Sequence, residues 1–68
     1  MTDRMKEVVL AIADANMNVS EAGRMLYLHR NTILYYCDEI VKRTGLDPRC
    51  FYDLEKLVWR VKKEVKYG

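Results

Sequence analysis

The chain has 68 residues, half of them hydrophobic and 32% charged, with a formal net charge of +2. That length holds one domain near the lower limit for a single hydrophobic core, and the composition argues against disorder. The longest apolar runs cover only a few residues, which excludes a membrane-spanning helix.

Thr2 is placed to cap a first helix, with Asp3 in its first turn favouring the positive end of the helix dipole. Met5, Val8, Val9, Ile12 and Ala13 recur at helical spacing and predict one apolar stripe. Asn16-Met17-Asn18 ends that helix, since asparagine tolerates left-handed backbone angles. Asn18 then caps a short second helix over about residues 19–26, with Glu21 three positions on in a capping-box arrangement. Val19, Ala22 and Leu26 face inward, and Leu28 anchors the turn that follows. Gly23 either marks a close backbone approach or is a tolerated defect.

A third helix is predicted from about Arg30 to Thr44, with His29 at its N-cap position. Ile33, Cys37, Ile40 and Thr44 form its inner stripe, and Gly45 is the C-terminal stop. Asp47-Pro48 has the form of a cap followed by a first-turn proline, so a short helical turn is expected there. Tyr52-Asp53 restarts a last helix with Leu54, Leu57, Val58, Val61 and Val65 on one face. Trp59 lies off that stripe, available either to cover the edge of the first helix or to join a self-association surface. Nothing reads as strand or repeat. The expectation is an all-α fold, a compact four- to five-helix bundle spanning residues 1–68 as one domain.

Within it, a short helix bracing a longer one with a polar N-terminus has the layout of a helix-turn-helix, with its core over about residues 19–44. If the inner stripe points inward, Asn31, Thr32, Tyr35, Asp38, Glu39 and Lys42 face out. Arg30 suits the O6/N7 edge of guanine or a phosphate, and Asn31 suits the edge of adenine. Thr32 can donate to a phosphate beside main-chain N–H groups at the helix terminus. Tyr35 can stack or bond at a phosphate. Arg24 and Lys42 are candidates for the sugar-phosphate backbone, as are Arg43 and Arg49. The plainer alternative for Arg30-Asn31-Thr32 is ordinary N-terminal capping chemistry. His29 reads as a cap or backbone partner and is counted among the candidate DNA-binding residues; it is not read as a catalytic base, because no nucleophile or carboxylate pair is arranged to work with it.

Charge distribution points the same way. Residues 1–23 carry two basic and four acidic side chains, whereas residues 24–68 carry ten and six. An acidic portion followed by a basic one is a mild pointer to a polyanion. Asp38 and Glu39 oppose it locally. The basic run Lys56, Arg60, Lys62, Lys63 and Lys66 is by default a solvated face. Cys37 and Cys50 make no disulfide framework, and with one histidine they offer no zinc spacing. No metal, cofactor or small-molecule ligand is inferred, and no enzymatic constellation is present. With no secretory leader pattern, a reducing cytoplasm is the expected compartment.

At Leu28-His29-Arg30-Asn31-Thr32-Ile33 the chain resembles the C-terminal helix-turn-helix domain of the PucR and sugar-diacid (CdaR-type) transcription regulators. Ala22, Leu26, Tyr35, Ile40 and Thr44-Gly45-Leu46-Asp47 fall at matching places, and the likeness covers nearly the whole chain. A more distant likeness is to the DNA-binding end of the Fis nucleoid protein. The resemblance implies a bacterial-type module whose helix from Arg30 enters the major groove of double-stranded DNA. The family usually carries arginines where this chain has Leu34 and Tyr36, and a leucine in place of Cys37, which thins the implied phosphate grip. A lone module of this kind binds weakly, so a homodimer on DNA is expected. The alternative is a protein-interaction module that keeps the fold without binding DNA.

Overall fold

A computed structural model describes residues 1–64. Four helices and no strand occur among them: α1 (Asp3–Asp14), α2 (Val19–Leu26), α3 (Arg30–Thr44) and α4 (Phe51–Glu64). Val65 and Lys66, expected on the last helix, lie outside the described residues.

Each helix starts and stops where local chemistry dictates. Thr2 Oγ1 accepts the Met5 N–H at 3.2 Å and opens α1. At the other end the Met17 N–H reaches the Ile12 carbonyl at 2.8 Å. Asn16 (φ 53°) and Met17 (φ 69°) are both left-handed there. Asn18 Oδ1 accepts the Glu21 N–H at 3.0 Å and opens α2. The expected capping box is only half formed, because the Glu21 carboxylate turns instead to Arg24. Gly45 (φ 75°) closes α3 in a left-handed conformation that costs glycine nothing.

The stretch after α3 departs from the sequence expectation. No short helix forms at Asp47-Pro48, so the bundle has four helices rather than five. Asp47 Oδ1 accepts the Arg49 N–H at 2.9 Å, and the Cys50 N–H bonds back to the Asp47 carbonyl at 3.0 Å. That isolated turn goes no further, and α4 begins at Phe51, one residue earlier than expected. Asp53 reaches back to accept the Asp47 N–H at 3.1 Å, and Pro48 is fully buried beneath.

The core draws on every helix. Met5, Val8, Val9 and Ile12 of α1 meet Ala22 of α2, Ile33, Cys37 and Ile40 of α3, and Leu54, Leu57 and Val61 of α4. No polar or charged side chain is buried among the described residues. Stability therefore rests on apolar burial, worth roughly 1.5–3 kcal/mol for each large side chain removed from water. Thr44 sits only half-buried, its hydroxyl donating to the Ile40 carbonyl at 2.8 Å and accepting the Leu46 N–H at 3.0 Å. Helix α1 is the hub: it packs on all three others, whereas no Cα of α4 comes within 8 Å of α2 or α3.

Burial pushes the Cys37 thiol up to about 11, with Asp47 and Asp38 adding to the rise and Arg49 opposing it. A thiol that ionises less readily folded than unfolded supports the native state fully below the unfolded value of 9.0, and that support is lost as pH climbs to about 11. Denaturant midpoints measured from pH 8 to 11 should therefore fall with a limb that Cys37→Ala lacks. The slope of that limb approaches about 1.4 kcal/mol per pH unit. Parallel curves for the two proteins would disprove it.

Candidate nucleic-acid interface

The α2–α3 corner is built from backbone. Helix α2 ends with Tyr27 left-handed (φ 58°), and the Leu28 N–H closes onto the Gly23 carbonyl at 2.8 Å. A Cβ added at Gly23 would lie 2.6 Å from the Leu28 carbonyl oxygen and 3.6 Å from the Arg30 nitrogen. The glycine thus marks a close approach, which the sequence alone left open. Ala22 beside it is fully buried at the crossing, and Leu28 packs against the core from a half-buried position.

The start of α3 is held by His29. Its Nδ1 accepts the Asn31 N–H at 3.0 Å, and its carbonyl accepts the N–H groups of Thr32 and Ile33. The main-chain donors at positions 31 and 32 are therefore engaged, contrary to the expectation that they would be open to an anion. The side chains of the tip are left to do the reaching. Arg30 and Asn31 are exposed and Thr32 half-exposed. The first turn holds no acidic residue. Among the described residues Arg30 makes no ion pair, and neither does Arg43 near the other end of the helix.

Further along the outer face, Tyr35 is 58% exposed and its hydroxyl donates to Glu39 Oε1 at 3.4 Å. Tyr36 meets it edge-on at 5.5 Å but packs against the core. Leu34 is half-buried.

Asp38 and Glu39, the two acidic residues that oppose a polyanion on this helix, are both tied down. Asp38 pairs with Arg49 at 3.0 Å and Glu39 with Lys42 at 3.2 Å. Arg49 also grips Asp47 at 2.8 Å, which holds the Asp47 carboxyl below its ordinary range and raises the guanidinium further above its own. Arg24 likewise donates to its own-helix neighbour Glu21 at 2.9 Å. Of the candidate cations, Arg30 and Arg43 have no ion-pair partner among the described residues, whereas Arg24 and Lys42 would have to give up a carboxylate to meet another anion. Exposed pairs of this kind are worth only about 0–1 kcal/mol, so the exchange is cheap.

Sequence reasoning passed over Tyr27, which is 95% exposed at the tip of the turn. A left-handed residue that is not glycine or asparagine carries no mark in the sequence.

Chemically, the surface is a helix tip that offers a guanidinium, a carboxamide and a hydroxyl with little internal competition. No curated protein and no solved structure matches the chain. The model of the PucR C-terminal helix-turn-helix domain family matches residues 5–62, from within α1 nearly to the end of α4. A match over that much of the 68 residues, with the predicted brace, turn and polar-tipped helix all formed, makes this chain a member of the PucR C-terminal helix-turn-helix family.

Proposed function

We propose that the chain is the sequence-specific DNA-binding module of a transcription regulator. In this reading α3 lies in the major groove with its first turn at the base edges. The observation that carries it is the acid-free tip of exposed Arg30 and Asn31 and half-exposed Thr32, held out by a helix-turn-helix corner. Family membership supports the same reading. Asn31 pairs with an adenine edge, Arg30 with guanine or a phosphate, and Thr32 with a phosphate. Tyr35 packs along the backbone beyond them. Arg24 and Lys42 neutralise phosphates on either side, and His29 acts by fixing the direction of the tip. Because one such module makes few contacts, two copies act together on a two-fold site, their recognition helices about 34 Å apart.

The test is a fluorescence-anisotropy titration of labelled duplex at a series of salt concentrations. Each neutralised phosphate contributes about −0.9 to the slope of log affinity against log salt, so Arg24 and Lys42 give about −1.8 per copy, and about −2.7 where Arg30 also takes a phosphate. Binding that never becomes tighter than about 10⁻⁴ M at low salt, the weak end of non-specific association, overturns the proposal in favour of a protein-interaction module.

A further inference from the structure

Helix α4 packs inward through Leu54, Leu57 and Val61, yet the flank beside that stripe, bordering the end of α1, is not the plain solvated face that its lysines suggest. Phe51 is 60% exposed and Trp59 66%, and half-buried Val58 lies between them on the same side of the helix. Ala13 of α1 and Met17 of the turn that follows it extend this apolar strip past Phe51 in a shallow groove. Exposed apolar patches of this kind mark contact surfaces.

Two charges frame the strip. Glu55 and Lys62 lie on the same line of α4, and among the described residues neither has an ion-pair partner. They are seven residues apart, about 10 Å along the axis, so neither can satisfy the other within one helix.

We infer that this face binds a second copy of the chain, α4 against α4 in antiparallel fashion. A two-fold axis passing between Val58 and Trp59 sets Glu55 of each copy opposite Lys62 of the other. The pair forms twice, and Val58 and Trp59 meet across the axis. Self-complementarity of this type is what an isologous interface requires. The occupant follows from the pattern: an acid, an apolar centre and a base, in that order, is matched by its own reversal. The surface lies on α4, none of whose Cα atoms comes within 8 Å of α2 or α3, and its edge at Trp59 borders Thr44, at the far end of α3 from the Arg30-Asn31 tip. The inference concerns the free protein and does not depend on DNA being the ligand.

The test is sedimentation velocity of the 68-residue chain without DNA, from about micromolar to about millimolar concentration. Trp59 is the one tryptophan, so its emission reports on the proposed interface directly. A reversible dimer is expected, with Trp59 emission shifting to the blue as concentration rises. Glu55→Lys and Lys62→Glu should each weaken it by about tenfold or more, since symmetry counts each change twice and sets like charges opposite one another. The double variant Glu55→Lys with Lys62→Glu should regain most of the parent's affinity. Both positions are exposed, and circular dichroism of each variant establishes that helix content is retained. A monomer throughout, a dimer indifferent to either single change, or a double variant as weak as the singles overturns the inference. None of these outcomes bears on the salt-dependent titration with duplex.

Discussion

Gly23→Ala is expected to destabilise the fold even though alanine is the better helix former. Propensity alone favours the substitution by about 1 kcal/mol. Against that, the new methyl would stand 2.6 Å from the Leu28 carbonyl oxygen, a distance no real Cβ contact tolerates. The obstacle is backbone, and the Leu28 N–H is itself bonded back to Gly23. The corner cannot yield without spreading α2 from α3. A net loss of about 1–3 kcal/mol is expected, typical of overpacking at a closed site. For a domain of this size that lowers the melting temperature by about 4–8 °C per kcal/mol. Gly45→Ala makes the contrast, because its Cβ meets nothing within 4 Å and its penalty comes only from the left-handed φ of 75°. Under the proposed function, Gly23→Ala should also weaken DNA binding, while Gly45→Ala leaves it intact. Calorimetry finding Gly23→Ala at least as stable as the parent would show that the corner is looser than described.

The second large effect belongs to the tip of α3. Asn31→Ala should cost roughly 1–3 kcal/mol of binding to a preferred duplex. It should leave stability nearly untouched, because the bond from position 31 to His29 Nδ1 uses the main-chain N–H, which alanine retains. Arg30→Ala should weaken binding by a similar amount, since among the described residues the guanidinium has no ion-pair partner to release. Arg30→Lys separates the two roles open to it: a phosphate contact survives the exchange, whereas a bidentate contact to guanine does not. The readout is a competition titration against a selected site and a scrambled duplex. If Asn31→Ala binds both with the parent's ratio, position 31 does not read bases.

Much of this was legible beforehand because helix caps are local. Thr2, Asn18, His29 and Gly45 each act within four residues, and each does what its neighbours in sequence require. The apolar stripes were equally plain, down to Cys37 as a small buried hydrophobe. What the sequence leaves open is which partner each charged side chain takes. Asp47-Pro48 has the form of a helix start, yet Asp47 is committed to Arg49, and Asp53 returns to it from six residues away. The pairing of Asp38 with Arg49 spans eleven residues, so Asp38 read as an open negative charge when it is in fact engaged. Glu21 had two local partners to choose between, the Asn18 backbone and Arg24, and the cation won. For the tip itself, sequence supplied the residue types; their exposure and lack of internal partners needed coordinates.

The α2–α3 corner has a consequence for how such a module can diversify. Its geometry is enforced by main-chain atoms of Gly23 and Leu28 and by the burial of Ala22 and Ile33, none of which belongs to the exposed tip. Positions 30, 31 and 35 can therefore be rewritten at little thermodynamic penalty to the scaffold. A library randomised at those three sites should yield mostly folded proteins and, under the proposed function, ones of altered preference, an exchangeable tip on a fixed chassis.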